Sequence, residues 1–264
     1  MLKLIKNLLV MPVLSLITYP DVSAQDTPEL VTDRPDITES AVIVPLHSIQ
    51  IETGFLYQKE ELSESGRQFE LENLTLAATL IRYGLHKCLE LRLGGDYLHI
   101  NKKLNGMHSI TVGLENIFIG WKLILRHHKK IINNSALIFE LTLPYGSKYF
   151  RPDEPVPTVC FAAEQAINGK SSMALNSGLE IHNRENRAFY SISLGIDMTP
   201  NTGLFIEYFG DVAGSTPARS NFDLGFTYLP FKTNLQLDFS AGSRLLYDKI
   251  DWFAGMGVSL RLPE

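Results

Sequence analysis

The chain has 264 residues, 20% of them charged, and a net charge of −5. That length fits one large β domain or two small ones, and the mild acidity argues against nucleic acid as a partner. The first 24 residues differ from the rest. Lys3 and Lys6 form a short basic region, Leu8 to Ile17 is apolar apart from Ser15, and Val22-Ser23-Ala24 offers small residues for cleavage before Gln25. The pattern predicts a secretory signal peptide over 1–24, since its apolar run is well short of the ~20 residues a bilayer span needs. No cysteine follows the cleavage position, so a lipid anchor is not expected. Beyond Ala24 no stretch approaches a transmembrane helix. A membrane location is then possible only as a closed barrel, because helices and closed barrels alone satisfy every backbone group in lipid.

Residues 25–46 carry Thr32-Asp33-Arg34-Pro35-Asp36, then Glu39-Ser40-Ala41, then Pro45. Prolines and charges make this a poor strand or helix. Two readings stand side by side: a floppy N-terminus, or a segment tucked into a lumen or across its periplasmic mouth. In the second, Asp33, Arg34, Asp36 and Glu39 pair with lumen charges.

From 47 to 264 strands follow at an even pitch: 48–59, 67–83, 88–100, 109–127, 135–145, 158–167, 171–182, 188–198, 203–210, 221–229, 234–245 and 251–262. Within them polarity alternates with a period of two. Leu89, Leu91, Leu93, Gly95 and Tyr97 stand against Glu90, Arg92, Gly94, Asp96 and Leu98. Near the end, Leu235, Leu237, Phe239 and Ala241 stand against Gln236, Asp238, Ser240, Gly242 and Arg244. Such alternation means a sheet whose faces see different environments. Its repetition down the whole chain, with single charges on one face and Leu, Ile, Phe and Tyr on the other, predicts an all-β fold. The expected form is a transmembrane antiparallel up-and-down β-barrel of about twelve strands, apolar outside and wet inside.

Connections alternate between short turns (84–87, 168–170, 200–202, 230–233) and longer polar loops (60–66, 101–108, 146–157, 211–220), as periplasmic turns and external loops do. The basic stretch 127–134 breaks the rule, being long where a turn is expected. Tyr57, Tyr83, Tyr97, Tyr145, Tyr190, Tyr208, Tyr228 and Trp252 fall near strand ends, where interfacial girdles lie. The glycines are mostly inward, which relieves crowding around a modest lumen. Cys88 and Cys160 fall near opposite rims in this layout, too far apart for a disulfide, so both thiols are expected free.

The predicted lumen holds Arg82, Arg92, Lys122, Arg126, Arg244 and Arg261. It also holds Glu52, Glu70, Glu72, Glu90, Asp96, Glu140, Glu164, Glu180, Asp197, Glu207, Asp223 and Asp238. Such charges must be solvated or arranged as cross-strand ion pairs. An acidic excess would favour cations and neutral polar solutes over anions. The competing reading is a packed polar plug that only stabilises the barrel.

Several stretches together resemble a known family: Thr32-Asp33-Arg34-Pro35-Asp36, Gln50-Ile51-Glu52-Thr53-Gly54, Arg82-Tyr83-Gly84-Leu85, Glu90-Leu91-Arg92-Leu93-Gly94, Gly120-Trp121-Lys122, Leu143-Pro144-Tyr145-Gly146, Asn176-Ser177-Gly178 and Gln236-Leu237-Asp238. Their order is similar to that of the outer-membrane transporter-like family labelled putative meta-pathway of phenol degradation. The resemblance covers nearly all of the mature chain. It implies an outer-membrane β-barrel concerned with uptake of small, often aromatic, solutes. Such barrels often end on an aromatic residue, whereas this chain ends Leu262-Pro263-Glu264.

The expectation is therefore a channel or transporter for small solutes in the outer membrane of a Gram-negative bacterium. Its partners are outer-membrane lipid, the solute and the barrel-assembly machinery, and no cofactor or metal is expected. A non-conducting structural or docking barrel is the alternative, with an outer-membrane hydrolase behind it. For the hydrolase the candidates are thin: His47-Ser48 and His108-Ser109 are sequence neighbours, so along a strand they face opposite ways.

Overall fold

The computed structural model describes residues 29–64, 67–104, 107–125, 132–214, 218–230, 234–245 and 251–262. The expected signal peptide, Arg126 and most of the basic 127–134 connection lie outside the described residues.

Twelve strands follow one another in chain order: β1 (Ile49–Glu64), β2 (Arg67–His86), β3 (Leu89–Leu104), β4 (Met107–Ile124), β5 (Asn134–Thr142), β6 (Val156–Asn168), β7 (Ser171–Glu180), β8 (Arg187–Thr199), β9 (Thr202–Ala213), β10 (Arg219–Tyr228), β11 (Leu235–Arg244) and β12 (Asp251–Leu262). Each is antiparallel to its sequence neighbour, and β1 pairs with β12, so the sheet closes. The closing seam runs from Ile49 opposite Leu262 to Glu60 opposite Asp251. Closure of this kind is what lets a sheet stand in hydrocarbon.

Side-chain direction follows the alternation. Leu91, Leu93, Ile119, Leu194, Ile206, Leu224, Phe226, Leu237, Phe239 and Met256 are exposed, while Glu90, Arg92, Lys122, Ser193, Glu207, Asp223 and Asp238 are buried. A water-soluble protein would do the reverse. The outer face instead offers a band of aliphatic and aromatic side chains suited to acyl chains. Aromatic residues of adjacent strands meet on it: Trp121 stacks on Phe139 at 5.6 Å, Tyr57 lies 5.4 Å from Trp252, and Tyr190 lies 5.9 Å from Tyr208.

The wall is uneven in height. β1 to β4 have 16, 20, 16 and 18 residues, against 9 in β5. At roughly 3.3 Å per residue, twenty residues exceed even a tilted path through an apolar band of ~25 Å. Two stretches expected as long polar loops, 60–66 and 101–108, are therefore mostly strand: β1 runs to Glu64 and β2 starts at Arg67, while β3 runs to Leu104 and β4 starts at Met107. Polarity stops alternating there because both faces are wet, but the ladder continues, as from Leu62 opposite Phe69 to Glu61 opposite Glu70. Glu70 and Glu72, expected in the lumen, belong to this projecting part. Lys59 reaches Glu70 at 2.7 Å, and Lys103 lies 3.1 Å from Glu70 and 2.5 Å from Glu72. Above the short β5, the 143–155 connection rests against β4, with Ser147 N donating to Leu114 O at 2.9 Å.

Candidate functional site

Residues 29–46 occupy the lumen. The segment starts at the end of the cylinder where β1 begins, crosses to the opposite wall and returns. Its hydrogen bonds to the wall run through wall side chains. On the outward leg Arg261 donates to Glu29 O at 3.1 Å, Gln50 to Val31 O at 2.8 Å, and Gln236 to the Thr32 hydroxyl at 2.8 Å. Glu52 accepts from Asp33 N at 2.9 Å, and Arg34 pairs with Asp238 at 3.2 Å. At the far wall both oxygens of Glu207 are used, accepting from Ile37 N at 2.8 Å and Thr38 N at 2.7 Å, and the Thr38 hydroxyl also contacts Glu207. On the way back Asn176 makes a two-way amide pair with the Glu39 backbone at 2.7 and 3.0 Å. Lys122 donates to Ser40 O at 3.0 Å, Arg82 to Val42 O at 2.8 Å, and Glu90 accepts from Val44 N at 2.8 Å. Leu46 then bridges to Gly84 and the chain enters β1.

The charges sort into levels. Against the returning leg lies a buried ion-pair network centred on Asp33, which contacts Arg92 at 2.7 Å, Lys122 at 2.8 Å and Arg82 at 3.3 Å. Arg82 also binds Glu52 and Glu90, each at 2.9 Å, and Arg92 binds Glu39 at 2.8 Å and Glu140 at 3.0 Å. Each buried charge here has an opposite partner, without which desolvation would be ruinous. The far wall is acidic: Asp223 faces Glu207 directly across β9 and β10, and Ser193 hydrogen-bonds Asp36 beside them. Burial first, and the Glu207 and Asp223 carboxylates after it, push Asp36 well above the usual carboxylate range. Burial likewise pushes Glu39 up to about 7, against the pull of Arg92. Asp33 goes the other way. Burial alone would raise it, but Arg82, Lys122 and Arg92 together hold it well below its ordinary value.

Two cavities flank the segment. The outer one, about 740 Å³, has Asp33 to Ile37 as part of its lining, with Asp96, Glu140, Glu180, Asp223 and Arg244 among its wall residues. There Arg244 lies 3.8 Å from both Glu60 and Asp251, and Asn116 donates to Asp96 at 3.0 Å. The second, about 560 Å³, lies at the short-turn end between Glu29 to Thr32 and residues such as Lys170, Asp197 and Thr227. Asp197 is solvent-exposed on its margin. Glu164 points inward near the same end, one of its oxygens buried without a hydrogen-bond partner. Arg261 anchors Asn234 at 2.9 Å as well as the start of the segment.

Much of the surface that meets the segment is uncharged. Gln50, Asn176, Ser191 and Gln236 also hold the segment through hydrogen bonds, and Phe118, Phe189, Phe209 and Phe253 line the outer cavity. All share the inward parity of their strands, which was the available signal. Cys160 is not at a rim; it packs with Ala41, Ile138 and Ala162 inside the wall. Both thiols are unbonded, and Cys88 Sγ lies 3.2 Å from His86 Nδ1. Among the described residues no three His, Cys, Asp or Glu side chains are grouped to hold a metal ion.

An apolar outer wall, a polar interior and a closed antiparallel meander together define a transmembrane β-barrel of the kind found in bacterial outer membranes, here with its own N-terminal segment inside. The chain belongs to the family described as Putative MetA-pathway of phenol degradation, whose profile matches residues 32–262. No curated protein sequence matches it. Among solved structures it is similar to an outer membrane channel from Pseudomonas putida F1, with a TM-score of 0.66 and 13% identity over 83% of this chain and 97% of that one. The translocator domain of the autotransporter NalP from Neisseria meningitidis gives a TM-score of 0.54 at 10% identity over 81% of this chain and 88% of that one. The KdgM porin in complex with disordered oligogalacturonate gives 0.51 at 11% identity over 80% and 98%. At these identities the likeness is one of fold.

Proposed function

We propose that this barrel is an outer-membrane channel for small solutes, held shut at rest by residues 31–40. The observation that carries the reading is the pair of cavities, about 740 and about 560 Å³, with a thin segment between them. That segment is attached by side-chain contacts, which can be exchanged for water one at a time, whereas a strand of the wall cannot leave without opening the cylinder. A plug serving stability alone would have no need of an outer vestibule. The similar proteins named above include a channel and a porin, which supports the same reading.

Acidic groups outnumber guanidiniums in the outer cavity, where Asp33, Glu60, Glu140, Glu180, Asp211 and Asp251 alone exceed Arg34, Arg187, Arg219 and Arg244 among the lining residues. A low-dielectric wall focuses that field, so cations and neutral solutes enter more readily than anions. Phe118, Phe189, Phe209 and Phe253 give the same space apolar surface. The combination suits small molecules with one polar and one apolar end. The site residues act here by lining and positioning, and no catalytic role is assigned to them.

Planar-bilayer recording on the refolded full-length protein tests this. Low, cation-preferring conductance is expected, rising severalfold when residues 29–46 are deleted. Silence from both proteins in a correctly folded barrel would end the channel reading.

A further inference from the structure

The inward phenylalanines and the inward glycines are not independent. Phe118 on β4 stands directly opposite Gly94 on β3, Phe189 on β8 opposite Gly178 on β7, Phe205 on β9 opposite Gly225 on β10, and Phe253 on β12 opposite Gly242 on β11. In every pair the ring covers the bare glycine. A Cβ added there would meet ring carbon at 2.3 Å for Gly94, 2.2 Å for Gly178 and Gly225, and 2.4 Å for Gly242. Real Cβ atoms do not approach that closely, so with any other residue opposite it the ring must swing away from the wall. Inside a cylinder the free direction is toward the axis.

Three of these rings, Phe118, Phe189 and Phe253, line the outer cavity. They sit on β4, β8 and β12, four strands apart in a wall of twelve, and so divide the circumference into thirds. Crowding relief alone explains a glycine wherever a strand coils tightly. It does not explain why each of these glycines faces a phenylalanine, nor why the three glycine-backed rings of the cavity are spaced evenly; Phe209 on β9, which has no glycine opposite it, packs on Phe253 at 6.2 Å.

We propose that Gly94, Gly178 and Gly242 determine the free bore of the outer vestibule, by letting three phenyl rings lie against the wall. They thereby set the cross-section of solute the vestibule admits. The flux consequence rests on the channel reading above, but the bore is a property of the vestibule and is measurable without through-flow.

The test uses the full-length barrel in liposomes with Cys88→Ala and Cys160→Ala, and a reporter thiol from Thr158→Cys, a residue lining the same cavity. Methanethiosulfonate reagents of graded width report access, and solute flux is recorded in parallel. Gly178→Ala with Gly242→Ala should slow the widest reagent at least tenfold relative to the narrowest. Phe189→Ala with Phe253→Ala, on the native glycines, should speed the widest one selectively. The phenylalanine arm stands on its own should the alanine variant fail to fold, as judged by its heat-modifiable gel shift. Size-independent or unchanged labelling rates in folded variants would overturn the proposal. Absence of wild-type flux with size-graded labelling would sink the channel reading and leave the bore assignment standing.

Discussion

Arg82, Arg92 and Lys122 approach one carboxylate, that of Asp33, within 2.7 to 3.3 Å. Removing one partner from a buried cluster of charges costs about 3–5 kcal/mol. Asp33→Asn should therefore loosen the segment, with limited proteolysis of the outer-membrane-embedded protein showing faster cleavage between residues 29 and 46. The neighbouring acids respond oppositely to pH. Glu39 and Asp36 titrate higher in the docked segment than in a free chain, so docking takes up protons. That contribution is complete at low pH and fades as pH rises, for Glu39 through about 7. Asp33, held low, is already ionised throughout that window, since its own contribution is lost only below its ordinary value. Conductance should thus grow from pH 5 to pH 8, and Glu39→Gln should flatten part of the slope in bilayer recordings. Arg34 supplies a steric counterpart. Its guanidinium rests on Gly54 and Gly257, which face each other across the β1–β12 seam, and a Cβ on either would fall about 2.3–2.4 Å from it. Gly257→Ala should displace Arg34 from Asp238 and raise resting conductance.

At the level of elements, a period-two alternation is a local property. It sufficed to mark twelve strands and the side on which Glu90, Arg92 or Asp238 would lie. It could not say that Asp33 meets Lys122, because 89 residues separate them and only closure of the cylinder brings them together. For the same reason two readings of 25–46 stood level: floppiness and docking differ in contacts that no sequence window contains. The outer ends of β1, β3 and β4 were hidden for another reason. With water on both faces, Glu60 to Leu62 and Asn101 to Leu104 need no alternation, so they looked like loop. The stretches that carried the family resemblance, scattered from Thr32 to Asp238, converge in space: Glu52, Arg82, Glu90, Lys122, Asn176, Gln236 and Asp238 all hold the segment. The apex of that segment can be fastened. The Thr38 and Ser191 hydroxyl oxygens lie 2.7 Å apart, so Thr38→Cys with Ser191→Cys, in the background lacking native thiols, should form a disulfide. Conductance should then stay low at pH 8 and recover on reduction, read in one bilayer experiment.

For the molecule as a whole, the balance between wall and surroundings is the quantity to probe. Leu224 is 54% exposed on β10, and Asp223 beside it is buried in the lumen. Arginine on the lipid face near the midplane costs about 2–4 kcal/mol, whereas a lumen substitution meets water and other charges. Leu224→Arg should lower the unfolding free energy of the barrel in lipid vesicles by that amount, read from denaturant titration, and Asn221→Arg, at a residue lining the outer cavity, should leave it nearly unchanged. Equal effects would mean that the two faces do not see different solvents.

The wall residues that grip the N-terminal segment come from both extremes of the chain: Gln50 and Glu52 from β1, Gln236, Asp238 and Arg261 from β11 and β12. They become neighbours only once the first and last strands zip together. A chain stalled before that step keeps its leading residues without Gln236, Asp238 and Arg261 beside Gln50 and Glu52, more open to periplasmic proteases. The finished barrel withdraws the same residues from attack, so the seam's completion is written into which molecules survive.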